Sequence, residues 1–236
     1  MDCSFFPLGD SAVLVEFGTV IDESVNRRVR AAAREIGRRP FSGFVECVPA
    51  YASLAVYYRP AELEASDPGV TYFEQVCALL RDRMKTADDG LEELQRVVEI
   101  PVCYGGEFGP DLSFVAEWNG LNEEEVISIH AEGRYQVYAL GFAPGFPYMG
   151  GMSGKIAAPR RETPRLSIPA GSVGIAGNQT GVYPIETPGG WQIIGRTPLS
   201  LFRPGEMPPA LLQSGDTIIF RPISPGEYAS RRERSQ

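Results

Sequence analysis

The chain has 236 residues, 43% hydrophobic and 22% charged, with 30 Asp and Glu against 22 Lys and Arg and a formal net charge of −8. That length and balance suit a globular protein of one large domain or two small ones. An acidic chain lacks the basic face that a phosphate backbone demands, which argues against nucleic acid as a partner, and no apolar run approaches the ~20 residues of a membrane span.

The start, MDCSFFPLGDSAVL, carries no basic region, and Asp10 interrupts its apolar run, so it does not read as a signal peptide. Four scattered cysteines (3, 47, 77 and 103) form no CxxC and read as reduced thiols. Both points lead to an expected cytoplasmic location. Residues 11–17 (SAVLVEF) suit a strand. From Asp22 to Arg38, Val25, Val29, Ala32, Ala33 and Ile36 recur at helical spacing, with Asp22 as cap. Residues 44–59 read as two short strands or one bent strand around Pro49. A second helix is expected from Tyr72 to Thr86, with Phe73, Val76, Cys77, Leu80 and Met84 on one face. The charged stretch TADDGLEELQR then marks a domain boundary, or carries a short helix at LEELQ. The expectation is a small α/β domain over residues 1–90 and a β domain over 91–236.

The second part opens with VVEIPVCY, a strand interrupted by Pro101, and the glycine-rich loop GGEFGPDL. Residues 122–131 form an amphipathic helix: Asn122 caps it, and three glutamates occupy the first turn, where the helix dipole favours them. Tyr135 to Phe142 alternates as a strand. Short strands separated by Gly and Pro turns follow as far as Ile223, with PPALLQ as a short helix and Gly215-Asp216 turning into TIIFRPI. Asn178-Gln179-Thr180 reads as a turn, and the basic tail RRERSQ as a solvated end. Many short strands with such turns suggest a barrel or a sandwich.

The residues able to carry chemistry lie between 130 and 202. His130 is the only histidine and the natural proton shuttle near neutral pH, although a helix-end histidine bonded to a carbonyl is the competing reading. GFAPGFPYMGG combines prolines that fix φ with glycines that permit positive φ, so it can be rigid and still let a ligand approach its backbone. Phe142, Phe146 and Tyr148 give it apolar walls and one hydroxyl. PRRETPR collects Arg160, Arg161 and Arg165, whose guanidinium forks suit carboxylates and phosphates; internal pairing with Glu162 is the alternative. AGSVGIAGNQTG adds a polar wall with Ser172, Asn178, Gln179 and Thr180. Walker A, GxGxxG and GxSxG motifs are missing, and one histidine leaves too few ligands for a metal. No complete catalytic apparatus of a common kind is visible, which fits a component that shares its active site with a partner.

The opening PLGDSAVLVEFG, the middle IPVCYGGEFGPDL and above all GFAPGFPY with TPGGWQIIGRTP resemble the family of bacterial 5-oxoprolinase B subunits. That family is also catalogued as allophanate hydrolase subunit 1 and as a sporulation-kinase inhibitor. The resemblance covers nearly the whole chain and implies an α+β protein: a small N-terminal α/β domain followed by a cyclophilin-like β-barrel. It implies a component of an ATP-dependent enzyme that opens the lactam of 5-oxoproline to glutamate together with the A and C subunits. ATP with magnesium is expected for the assembled complex, and no cofactor is evident from this chain alone. A carboxyltransferase or allophanate-type component acting on urea-like compounds, and a non-catalytic inhibitor of a histidine kinase, are the rival readings. Arg160 and Arg165 match the family's PR…TPR pattern. The expected substrate- or anion-binding set is Arg160, Arg165, Tyr148, Gln179, Gly145, Phe146, Gly189, Gly190 and Trp191. His130 is the candidate catalytic acid or base, expected at the same rim as Tyr148.

Overall fold

The computed structural model describes residues 3–20, 22–64, 68–87 and 96–234. The chain divides into two compact units, Met1–Leu94 and Gln95–Gln236. The boundary expected after residue 90 and the possible LEELQ helix lie outside the described residues.

The first unit holds a four-stranded antiparallel sheet of β1 (Ser4–Pro7), β2 (Ala12–Glu16), β3 (Phe44–Pro49) and β4 (Ser53–Tyr58), in the order β1-β2-β4-β3. Helix α1 (Glu23–Arg38) starts where Asp22 accepts the backbone N–H of Ser24 at 2.8 Å, which satisfies a donor the first helical turn would otherwise leave open. Its apolar stripe, with Val29, Ala32 and Ile36, is fully buried against the sheet residues Val13, Val15, Leu54 and Val56. Helix α2 (Tyr72–Met84) carries a capping box between Thr71 and Glu74 and buries Val76, Cys77, Leu80 and Met84 in the same core.

In the second unit a seven-stranded sheet runs β10-β9-β12-β5-β13-β6-β7, and a separate two-stranded ribbon pairs β11 with β8. The strands are β5 (Val97–Tyr104), β6 (Tyr135–Leu140), β7 (Pro147–Gly150), β8 (Arg165–Ile168), β9 (Ser172–Ala176), β10 (Gln179–Val182), β11 (Thr187–Gly189), β12 (Gln192–Arg196) and β13 (Thr217–Pro222). All pairs are antiparallel except β5 with β13. The end strands β7 and β10 lie alongside each other, so the sheet curls into a nearly closed barrel. Close approach inside the curl demands glycine: a Cβ at Gly195 would stand 2.6 Å from Val102 Cγ1 and 2.9 Å from the Cys103 carbonyl. Helices α3 (Leu112–Trp118) and α4 (Glu123–Glu132) pack on this sheet, and α5 (Pro225–Glu233) follows β13. The core is apolar and β-branched, built on Ile100, Val102, Val173, Ile175, Ile194 and Phe220.

Several local expectations change. Pro101 does not interrupt β5, because in the register its residue faces Arg221 of the parallel neighbour and the strand continues to Tyr104. PPALLQ is not helical: it holds bends and an isolated bridge from Ala210 to Phe202. The basic tail continues α5 as far as Glu233, capped by Ser224 and Glu227. Helix α3 has too few residues for a period to show. Among the described residues no helix is long and apolar enough to cross a membrane.

Ile194 is fully buried at the centre of β12, beneath the segment that carries Trp191. Ile194→Ala is expected to destabilise the second unit by about 2–5 kcal/mol, seen as a lower urea midpoint. A midpoint unchanged from wild type would show that this position is not the packed centre described.

Candidate functional site

A cavity of about 370 Å³ opens in the second unit, lined by Phe142, Phe146, Tyr148, Arg160, Pro164, Gln179, Tyr183, Pro188, Gly189, Gly190 and Trp191. Its size falls within the range of small-molecule sites. Aromatic rings dominate the walls. Phe146 is the hub, making edge contacts with Phe142, Tyr148, Tyr183 and Trp191 at centroid distances of 5.5, 5.4, 5.7 and 5.8 Å. Such T-shaped pairs lock one another's orientation. Behind them Gly181 lets the rings sit close: a Cβ there would lie 3.0 Å from both Phe146 and Trp191, and the rings would have to give way.

The loop before β7 is tight. Ala143 donates to the Gly141 carbonyl at 2.8 Å, and Phe146 to the Ala143 carbonyl at 2.9 Å. Phe142, at the mouth of the cavity, has a φ of 67°, a left-handed conformation unusual for an aromatic residue, and is largely exposed. Gly145 (φ 80°) is buried on the other side of this loop, where a Cβ would come within 3.2 Å of the Leu201 carbonyl and of Phe202. It shapes the loop and is not among the lining residues.

The arginine segment is fixed by a buried carboxylate. Asp111, at the start of α3, accepts Arg165 through both oxygens at 2.9 and 2.8 Å, Arg161 at 3.1 Å and the backbone N–H of Ile193 at 2.7 Å. Two further bonds pin the segment to the neighbouring strand: Arg161 N–H donates to the Gly190 carbonyl at 2.7 Å, and Gln192 Nε2 to the Pro159 carbonyl at 2.9 Å. Arg165 is therefore not the open anion ligand expected from the sequence, because its guanidinium is already neutralised by Asp111. Arg160 differs. It is exposed, lines the cavity and makes no ion pair among the described residues.

His130 is not at the rim with Tyr148. It is completely buried, on the same face of α4 as Val126 four residues earlier, and its ring stacks on Phe220 at 4.5 Å. Thr180 gives its hydroxyl hydrogen to the Gly174 carbonyl (3.1 Å), so it accepts from His130 Nε2 (2.9 Å). That leaves Nδ1 to accept the Tyr104 hydroxyl at 2.8 Å. The imidazole is neutral with both nitrogens engaged, and burial pushes its pKa down to about 3. This geometry corrects the expected placement: a ring sealed from the cavity reaches no ligand there. Its effect on the site is indirect, through Thr180, whose neighbour Gln179 lines the cavity and whose neighbour Gly181 backs the Phe146 and Trp191 rings.

Of the nine substrate- or anion-binding residues expected from the sequence, Arg160, Tyr148, Gln179, Phe146, Gly189, Gly190 and Trp191 come together around the cavity; Arg165 and Gly145 do not line it. Tyr183, Pro164, Pro188 and the supporting Asp111 were missed. The Gly-Pro-Asp end of the GGEFGPDL loop was the available signal for Asp111. For Tyr183 it was the Tyr-Pro pair that closes the donor-rich segment.

Residues 3–212 match the family described as the carboxyltransferase domain, subdomain C and D. A protein from Bacillus subtilis (strain 168) named as the B subunit of 5-oxoprolinase is 57% identical over 230 residues, covering 97% of this chain and 96% of its own length. One of the same name from Escherichia coli O157:H7 is 42% identical, covering 93% and 95%. The crystal structure of TTHA0988 is similar with a TM-score of 0.77 at 37% identity. That match covers 90% of this chain but only 40% of the longer TTHA0988 chain.

Two measurements check this geometry. Asp111→Ala strands two guanidinium groups and the Ile193 N–H, and is expected to cost roughly 3–5 kcal/mol in urea unfolding; a cost under about 1 kcal/mol would contradict the anchoring role. The second concerns pH. An unfolded chain protonates His130 below about 6.5, whereas the folded chain keeps it neutral down to about 3. Its contribution to stability is therefore complete above pH 6.5 and is lost as pH falls towards 3, by up to about 1.4 kcal/mol per pH unit. His130→Gln should be less stable at pH 7, and its stability should fall less steeply with acid. Equal slopes in both proteins would mean that the ring is solvated.

Proposed function

We infer that this chain, which belongs to the carboxyltransferase-domain family of subdomains C and D and within it to the 5-oxoprolinase B-subunit proteins, is the B component of an ATP-dependent, cytoplasmic 5-oxoprolinase. In this reading it works with the A and C subunits to open 5-oxo-L-proline to L-glutamate. The second unit is its cyclophilin-like barrel domain, and the cavity there holds the substrate. The observation that carries the proposal is Arg160: a guanidinium without a carboxylate partner among the described residues, set in an aromatic-walled cavity. 5-Oxoproline has the complementary shape, a flat five-membered lactam bearing one carboxylate. Its ring faces suit the Phe146 and Trp191 walls, and its carboxylate suits Arg160. Urea itself carries no charge to pair with Arg160, so an anionic ligand uses this residue more fully.

The cavity does not fit a magnesium nucleotide. Its lining contains no carboxylate to hold the metal and a single arginine for three phosphates. In this reading the nucleotide binds elsewhere in the assembled complex, away from this cavity. What this chain contributes is binding: the rings exclude water from the lactam, Arg160 fixes the carboxylate, and Tyr148 and Gln179 orient the amide edge. His130 has a structural part in this scheme, and proton transfer at the lactam belongs to one of the partner proteins.

The proposal is tested with the purified chain alone and reconstituted with the A and C subunits. The chain alone should show negligible 5-oxoproline-dependent ATP hydrolysis, and the complex should turn over. Arg160→Ala should raise KM for 5-oxoproline in the complex roughly tenfold to a hundredfold without lowering thermal stability. Arg165→Ala should lower stability, through loss of the Asp111 pair. Robust turnover by the isolated chain, or an Arg160→Ala complex with unchanged KM, would overturn it.

A further inference from the structure

The expected site set omitted the one phenol set deepest in the aromatic cluster. Tyr183 follows β10 and lines the cavity although only 2% of its surface is exposed. Its backbone is pinned on both sides, by its own N–H to the Ser172 carbonyl (2.9 Å) and by Gly171 N–H to its carbonyl (2.7 Å). Its ring is held edge-on by Phe146 and Trp191, at centroid distances of 5.7 and 6.3 Å. Room for the hydroxyl exists because residue 189 is glycine: a Cβ there would sit 2.6 Å from Tyr183 Oη. The phenol cannot turn away from this place without breaking the cluster.

The hydroxyl lies near the Trp191 backbone N–H, and Tyr183 lines the same cavity as Arg160. A phenol donates one hydrogen bond, and in a cavity walled by aromatic rings a ligand oxygen is a favourable acceptor for it. Arg165 is paired with Asp111, so the cation that shares this cavity with the phenol and makes no ion pair among the described residues is Arg160. An oxygen held by both is favoured when it is anionic. Burial pushes the phenol up to about 12, so it remains a donor at any physiological pH.

We propose that Tyr183 is a specificity-determining residue whose hydroxyl donates a hydrogen bond to the carboxylate of the bound ligand, beside Arg160. The inference rests on the cavity being the 5-oxoproline site, and it extends that reading to the group that tells a ring carboxylate from the bare ring.

Three probes separate the possibilities: 5-oxo-L-proline, 2-pyrrolidinone (the same lactam without the carboxylate) and cyclopentanecarboxylate (the ring acid without the lactam). Binding is measured by calorimetry on the full chain and on the chain reconstituted with its proposed partners. Tyr183→Phe keeps the ring and should retain the wild-type melting temperature. It should weaken 5-oxoproline and cyclopentanecarboxylate about tenfold or more and leave 2-pyrrolidinone unchanged. Equal affinities in variant and wild type, or an equal loss for all three probes, would overturn the inference while leaving the 5-oxoproline reading intact. Tyr183-dependent binding of cyclopentanecarboxylate with no binding of either lactam would support the carboxylate role and sink the 5-oxoproline reading. Absence of binding of every probe in both preparations would overturn both.

Discussion

The candidate site depends on one buried carboxylate. Asp111 caps no backbone group of the helix it begins, because its oxygens are committed to Arg165, Arg161 and the Ile193 N–H. A carboxylate so little exposed is stable only when charge and hydrogen bonds compensate for lost hydration, and here two guanidinium groups from a segment about fifty residues away do so. The same bonds tie the arginine segment to β12, whose preceding residue Trp191 is a cavity wall. The arginines thus divide their labour. Two hold the segment in place, and Arg160 is left facing the cavity.

A second buried network fixes the opposite wall. The donor chain from Tyr104 through His130 and Thr180 to the Gly174 carbonyl links β5, α4, β10 and β9. Every hydrogen in it is used once. Replacing any member leaves a buried polar atom without its partner, so the network behaves as a unit. It fixes β10 at the point where Gln179 and Gly181 meet the aromatic cluster, near the place where the sheet ends approach without pairing. A neutral histidine does this without carrying charge into the barrel core.

Much of the fold was legible because local physics decided it. Helices α1 and α4 announce themselves through caps at Asp22 and Asn122, and α2 through its apolar face at helical spacing. The glycines and prolines between 141 and 190 mark the turns from which the cavity loops are built. What could not be read was set by tertiary pairing. Nothing local tells Arg165, which is sealed to Asp111, from Arg160, which is open. Nor could the sequence show that β5 runs through Pro101, since that depends on its parallel neighbour. The burial of His130 left one trace, its spacing of four from Val126, but a helix-end histidine with that spacing can point either way. For Tyr183 the Tyr-Pro pair marks only a turn; its place in the cavity depends on Gly189 making room for its hydroxyl, which only the fold shows.

In the proposed reading a small ring acid is held by aromatic walls and by Arg160, which makes no ion pair among the described residues. A crystal structure of the chain with its proposed partners and 5-oxo-L-proline tests this most directly. The account predicts the lactam ring in the cavity against the aromatic cluster of Phe146 and Trp191, its carboxylate on Arg160, and the Asp111 pairs with Arg161 and Arg165 intact. A ligand bound elsewhere, or one that draws Arg165 away from Asp111 while Arg160 stays in solvent, would contradict it.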